Sequence, residues 1–355
     1  MTIDTIQIDV QPVEKSKLED ADLANLPFGK VFSDHMLVAE YKEGQWASCK
    51  IVPYTNLNLS PALCTLHYGQ TIFEGLKAYK NDKGEALVFR PYDNYQRMLK
   101  SAERMCMPAV PEEIFIGGIR QLLTLDHGWI PTHQGASLYI RPFMFGADEF
   151  IGIRPSDTYK FIIFTCPVGA YYTEPVNVKI ETEYTRAFPG GIGSAKTAGN
   201  YAASLYPARI NQEKGYHQLI WTDGIEHKYI EEAGTMNIMF RKGNQIFTPN
   251  PSDTILNGIT RRSVVQLAKD WGYDVQERPV EVQEVIDLLK KNELDEAFGA
   301  GTAATIAHII RIHHKGVDYE LPPVSQRTFS NKVLKTLDDI KYGRIADPHG
   351  WIMHI

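Results

Sequence analysis

The sequence predicts an α+β protein built from two domains. Three observations lead there. The chain has 355 residues, about two domains at roughly 150 residues each. Segments with the two-residue period of strands interleave with segments of helical period along the whole length, with no internal repeat. An apolar strand ends at Pro167-Val168-Gly169-Ala170-Tyr171, where glycine and proline punctuate the chain. The expected division is a smaller α/β domain over 1–169 that includes an N-terminal arm, a connection over 170–185, and a larger domain over 186–355.

Taken in order, residues 1–25 are polar and alternate weakly, as an arm or edge strand does. From about 28 to 145 the pattern is mostly strand. Leu87-Val88-Phe89 runs into Arg90-Pro91, and the proline pre-sets the first turn of a helix. That helix would carry Tyr95, Met98, Leu99, Ala102 and Cys106 on one face, with Arg97 beside it. A helix over 114–125 follows, then strands at 138–141 and 161–165. Beyond the boundary, Val178-Lys179-Ile180-Glu181 alternates like a half-buried strand, and 186–196 is a glycine-rich loop. Strands at 219–221, 236–240, 297–299 and 306–312 then interleave with helices at 259–271, 282–291 and 326–342.

Composition narrows the function. The residues are 43% hydrophobic, 11% aromatic and 23% charged, with 27 Gly and 20 Pro, which excludes a disordered or fibrous chain. A net charge of −6 argues against a nucleic-acid footprint or an anionic membrane surface, so a small-molecule partner is expected. Cys49, Cys64, Cys106 and Cys166 show no C-x-x-C spacing, which fits a reducing compartment. Met1-Thr2-Ile3-Asp4-Thr5 lacks the basic and apolar features of a targeting peptide, and no run approaches the roughly 18 apolar residues of a span. The expectation is a soluble, cytoplasmic protein.

The glycine-rich loop nearly matches two phosphate motifs and fits neither. Ala195 stands where a P-loop needs its second glycine, and Lys196 where a dinucleotide fingerprint needs its third. What survives is a lysine among small residues, which lets a ligand approach its amine. Other segments reinforce it. Lys196-Thr197-Ala198-Gly199-Asn200-Tyr201 runs into a helix, and Glu231-Glu232-Ala233-Gly234-Thr235-Met236-Asn237 puts two carboxylates before a glycine turn. Leu256-Asn257-Gly258-Ile259-Thr260-Arg261-Arg262 opens a helix whose N-terminal N–H groups favour a phosphate. Phe298-Gly299-Ala300-Gly301-Thr302-Ala303 is a second small-residue loop.

Together with His67-Tyr68-Gly69, Phe73-Glu74-Gly75-Leu76-Lys77-Ala78, Phe89-Arg90-Pro91, Arg97-Met98, Tyr139-Ile140-Arg141-Pro142 and Asp339-Ile340-Lys341-Tyr342-Gly343, these segments resemble the branched-chain amino acid aminotransferases of pyridoxal-phosphate fold type IV. The resemblance covers most of the chain. It implies a larger domain with a β-barrel-like core and pyridoxal 5'-phosphate bound covalently by Lys196, whose amine also carries the proton in catalysis. Glu232 would meet the cofactor's ring nitrogen and keep it protonated. Glu231, its neighbour on a strand, should face the other way. Arg97, Ile259 (through its N–H), Thr260 and Thr302 would hold the phosphate, and Tyr201 the phenolic oxygen. Tyr68, Phe73, Tyr139 and Tyr171 would line the substrate pocket, Arg141 would help with a side-chain carboxylate, and N–H groups near Thr235 and Ala303 would take the α-carboxylate.

The implied reaction is reversible amino transfer between L-leucine, L-isoleucine or L-valine and 2-oxoglutarate, in a homodimer or a higher assembly, with the loop of Tyr68 and Phe73 reaching the partner's site. Two departures stand out. Mammalian members carry a C-x-x-C pair where this chain has Ala304 and Ala307, so no thiol switch is expected there. Pro207 lies inside the helix expected after Tyr201. His313-His314 lacks a third ligand, so no metal site is expected. The alternatives are a D-amino-acid aminotransferase or aminodeoxychorismate lyase of the same fold, or a phosphate-ligand binding module without turnover.

Overall fold

In the computed structural model, which describes residues 7–23, 26–169, 171 and 174–355, the chain divides into two units. The first comprises the chain up to Tyr171 with Ala195–Ala198 and Asp339–Ile355; the second comprises Tyr172–Ser194 and Gly199–Asp338. Thus the four residues around Lys196 and the C-terminal segment group with the N-terminal part of the chain. Part of the expected arm (1–6 and 24–25) and of the expected connection (170 and 172–173) lies outside the described residues.

The first unit is built on one nine-stranded sheet. Its strands are β1 (Asp9–Val10), β2 (His35–Lys42), β3 (Gln45–Pro53), β4 (Thr71–Phe73), β5 (Leu76–Lys80), β6 (Ala86–Phe89), β7 (Ser137–Gly146) and β8 (Tyr159–Val168), closed at one edge by the C-terminal strand Ile352–His354. The order is β1-β3-β2-β8-β7-β5-β6 and then the C-terminal strand, with β4 paired to β7. Two-residue alternation decides what each face carries. Leu76, Ala78, Val88, Leu138, Ile140 and Ile163 point into a core completed by Tyr95, Met98 and Ala102 of α1 (Pro91–Arg104). The intervening residues, Tyr139, Arg141 and Phe143 of β7 among them, are left for the opposite face.

The face expected for α1 is largely the buried one, with one exception. The helix ends at Arg104, and Cys106 lies beyond it at φ 54°, exposed. A separate five-residue turn at Cys64–Tyr68 precedes β4. The helix expected over 114–125 is split: Glu113–Gly117 winds as a π-turn before α2 (Gly118–Leu125).

The second unit is built on a barrel. Its strands are β9 (Val176–Ile180), β10 (Gln218–Thr222), β11 (Tyr229–Ala233), β12 (Met236–Lys242), β13 (Gln245–Thr248), β14 (Asp274–Glu277), β15 (Val280–Glu281), β16 (Glu296–Gly301), β17 (Thr305–His314) and β18 (Val317–Glu320). Six of them close a ring, β12-β16-β17-β9-β10-β11 and back to β12. Closure leaves those strands no open edge and gives the β-barrel-like core that the sequence resemblance implies. Val178, Ile180, Ile220, Ile238, Phe240, Ala297 and Ile309 form its core with α5 (Val282–Lys290), which follows α3 (Ala198–Gln212) and α4 (Ile259–Asp270).

Pro207 does not end α3. It removes one backbone donor within the helix, and the Asn211 side chain donates to the Pro207 carbonyl one turn on at 2.7 Å. The last helix, α6 (Phe329–Lys341), starts three residues later than expected, because the buried Glu296 carboxylate accepts the N–H groups of Phe329 (2.9 Å) and Ser330 (2.8 Å) and caps it there. No helix among the described residues is long and apolar enough to cross a membrane.

Candidate functional site

The residues singled out in the sequence fall into two sets, one in each unit. In the first unit Lys196 is held by its backbone. Its N–H donates to Ser101 Oγ (2.9 Å), its carbonyl accepts from the Phe73 N–H (3.0 Å), and Thr197 pairs with Ile72 as an isolated bridge. The lysine segment is therefore a short extra rung beside β4. The Nζ stands 4.8 Å from the centre of the Phe73 ring.

Arg97 and Ser101 are four residues apart on α1, hence on one helix face. Arg97 directs Nε and Nη2 at the two oxygens of Glu74, both at 2.8 Å, and Glu74 is fully buried. A bidentate pair of this kind fixes the plane of the guanidinium.

Tyr139 and Arg141 share a face of β7, and Arg141 Nη2 donates to the Tyr139 hydroxyl at 3.0 Å. The Arg141 guanidinium lies over the rings of Phe73 (4.7 Å) and Tyr139 (5.3 Å), while its buried Nε has no hydrogen-bond partner. A cation supported by aromatic faces and holding an unmet donor suits a carboxylate. Gly75 makes this possible: a Cβ there would sit 2.0 Å from the Tyr139 hydroxyl. Phe28 packs edge-on against both Tyr139 (5.3 Å) and Tyr171 (5.1 Å), forming one aromatic row. Cys166, opposite Tyr139 in register, is buried, which pushes its thiol up to about 11 and makes it inert. Tyr68 does not join this group; it ends the Cys64–Tyr68 turn with 42% of its surface exposed.

In the second unit the two carboxylates overturn an expectation. Trp221 stands opposite Glu232 but Thr222 opposite Ile230, so Glu231 is the extra residue of a β-bulge. A bulge breaks the strict alternation of faces and re-aims side chains. Both carboxylates are buried. Glu232 Oε1 accepts the Leu256 N–H at 2.8 Å, and its Oε2 lies 3.3 Å from Arg186 Nε. Glu231 Oε1 accepts from the Thr254 hydroxyl at 2.5 Å, while its Oε2 is buried without a partner. Arg186 also donates to the Thr254 carbonyl. Burial pushes the Glu231 carboxyl up to about 7; the Thr254 bond and Arg186 work against that, and Glu232 and Asp223 add to it.

Three residues past Leu256, α4 begins. Gly258 is its N-cap and provides no side-chain cap, so the Ile259 and Thr260 turn opens without one. A Cβ at Gly258 would lie 1.9 Å from Asn237 Oδ1, and Asn237 Nδ2 donates to the Leu256 carbonyl at 2.8 Å. Thus Glu232, Asn237, Leu256 and the start of α4 form one connected group. Thr302 and Ala303 occupy the turn between β16 and β17, Thr235 is exposed in the turn between β11 and β12, and Tyr201 lies near the start of α3, where Asn200 Nδ2 donates to the Ile192 carbonyl at 2.8 Å. Phe28, Ser101, Arg186 and Thr254 were not singled out by the sequence, because none stands at a distinctive spacing. The near-invisible signal was Arg186 at the head of the glycine-rich loop.

Comparison with known proteins bears on the whole chain. The family model described as amino-transferase class IV matches residues 71–312. Branched-chain-amino-acid aminotransferase 2 of Bacillus subtilis (strain 168) is 43% identical over 359 residues, covering 100% of this chain and 98% of that protein. Among solved structures, a branched-chain aminotransferase of Thermoproteus uzoniensis with norvaline superposes with a TM-score of 0.75 at 25% identity, over 90% of this chain and 99% of that one. The branched-chain amino acid aminotransferase of Escherichia coli superposes with a TM-score of 0.71 at 25% identity, over 90% and 98% of the two chains. A further branched-chain amino acid aminotransferase, complexed with N-(5'-phosphopyridoxyl)-L-glutamate, has the same fold, with a TM-score of 0.73 at 23% identity over 91% and 99% of the two chains.

Proposed function

Since the chain belongs to the amino-transferase class IV family, we propose that Lys196 and Glu232 are the residues on which its amino transfer turns. It is a pyridoxal 5'-phosphate-dependent branched-chain amino acid transaminase, moving an amino group reversibly between L-leucine, L-isoleucine or L-valine and 2-oxoglutarate. When bound, the cofactor supplies a protonated ring that accepts electrons from the substrate's Cα.

The residues present fit that group. A buried carboxylate at Glu232 suits a protonated ring nitrogen, and the uncapped first turn of α4 suits a phosphate. The observation that carries the reading is their linkage: the Leu256 N–H that holds Glu232 is three residues from that helix start. In this assignment Lys196 Nζ bonds the cofactor and moves the proton at the substrate Cα. Arg97, the Ile259 N–H, Thr260 and Thr302 bind the phosphate, and the Tyr201 hydroxyl bonds the phenolic oxygen. Tyr68, Phe73, Tyr139 and Tyr171 shape the side-chain pocket. Arg141 takes the glutamate side-chain carboxylate, and N–H groups at Thr235 and Ala303 take the α-carboxylate.

The working unit in this reading is a cytoplasmic homodimer. The Cys64–Tyr68 turn, exposing Leu66 and Tyr68, offers apolar surface for the partner.

The test is the absorbance of the purified holoenzyme on adding L-leucine without an oxo acid. The band shifts, 2-oxoglutarate restores it, and Lys196→Ala does neither. A band that ignores L-leucine but answers D-alanine would overturn the substrate assignment.

A further inference from the structure

The bulge in β11 leaves one carboxylate unexplained. Glu232 has the Leu256 N–H and Arg186, and a part in the chemistry proposed above. Glu231 is buried as completely, is held by Thr254, and keeps an oxygen with no partner. An acid buried with an unmet oxygen is costly, and apolar packing at this position would be cheaper. The charged groups around it are Arg186, Glu232 and Asp223, the first attracting and the other two repelling its anion. Arg186 is thus shared: its Nε stands at Glu232 Oε2 while its charge also acts on Glu231.

We propose that Glu231 is a positioning residue that acts through Arg186 on Glu232 and so sets how strongly Glu232 holds the proton of the cofactor's ring nitrogen. The inference rests on the assignment of Glu232 to that nitrogen. When Glu231 is neutral, the Arg186 charge serves Glu232 alone and lowers its basicity. When Glu231 is ionised, it draws on the same guanidinium and adds a negative charge beside Glu232; both effects raise the basicity of Glu232. Burial puts this change of state near neutral pH, where Glu231 titrates at about 7.

The experiment measures dissociation constants of two cofactors from the apoprotein at about pH 6 and about pH 8.5. One is pyridoxal 5'-phosphate; the other is its 1-deaza analogue, in which a C–H replaces the ring nitrogen. Glu231→Gln keeps the shape and the acceptor for Thr254 but cannot ionise. At the higher pH it should bind pyridoxal 5'-phosphate roughly three- to ten-fold more weakly than wild type. It should bind the analogue equally well, and the two proteins should converge at the lower pH. Glu231→Asp, which still titrates, should keep the pH dependence.

Equal losses for both cofactors, or no loss for either, would overturn the proposal and leave Glu231 a packing residue. Glu232→Gln tests the premise separately. If that variant does not discriminate between the two cofactors, Glu232 does not meet the ring nitrogen, and the proposal falls with its premise.

Discussion

The open sheet of the first unit and the closed barrel of the second supply different kinds of group. One face of the sheet carries the main core of the unit, so alternate residues of single strands bring whole side chains forward on the other: Tyr139 and Arg141 from β7, Phe73 from β4, with Arg97 and Ser101 added from one face of α1. The barrel uses its strands to close upon themselves. What it offers comes from rims and irregularities: an uncapped helix start at Gly258, a turn at Thr302, and a carboxylate pair displaced by a bulge. Regular structure presents side chains; interrupted structure presents backbone donors and re-aimed charges.

That contrast can be broken by substitution. The largest effect belongs to the sheet unit, where Lys196→Ala should lower kcat by roughly 10⁴-fold with the fold intact, as single-turnover absorbance and circular dichroism would show. In the barrel unit the sharpest test removes no functional side chain. Gly258→Ala pushes a methyl onto Asn237 Oδ1, so it should weaken cofactor binding by about 10²-fold and lower stability by about 1–3 kcal/mol, read by titration and calorimetry. Unchanged affinity would mean that the helix start is not part of the phosphate cradle.

Back in the sheet, Arg141→Gln should raise KM for 2-oxoglutarate about ten-fold and leave that for L-leucine within about two-fold. Equal changes for both would make Arg141 a structural support. The smallest effect is on stability. Glu231 titrates at about 7 in the folded protein against 4.5 in its ordinary state, so the folded protein holds the extra proton between those values. Wild-type apoprotein should therefore lose stability as pH rises from about 4.5 to 7, relative to Glu231→Gln, and the two melting curves should run parallel above that window.

The legible parts of the chain were those where period alone decides the structure. The alternation through 138–141 and the spacing of Tyr95, Met98 and Ala102 follow from strand and helix geometry, and the structure has them. Boundaries set by tertiary contacts were not legible. Residues 326–328 read as helix from the sequence, but Arg327 is extended, and α6 starts only at Phe329, where Glu296, thirty-three residues upstream, caps it. The bulge at Glu231 is the hardest case, since two adjacent glutamates on a strand read as opposite faces until the register with β10 is known. Arg97 and Lys196 could be singled out, whereas Glu74 and Ser101, which hold them, depend on which strand lies beside which helix.

The C-terminal strand carries a consequence for biosynthesis. Ile352–His354 pairs with β6, whose partner residues 87–89 emerge from the ribosome about 260 residues earlier. At roughly 5–20 residues per second, β6 waits on the order of 10–50 s with one row of backbone donors and acceptors unmet. The first unit, though encoded first, is completed last. Chains stalled or clipped before Ile352 would expose a bare apolar edge that invites pairing with another nascent chain.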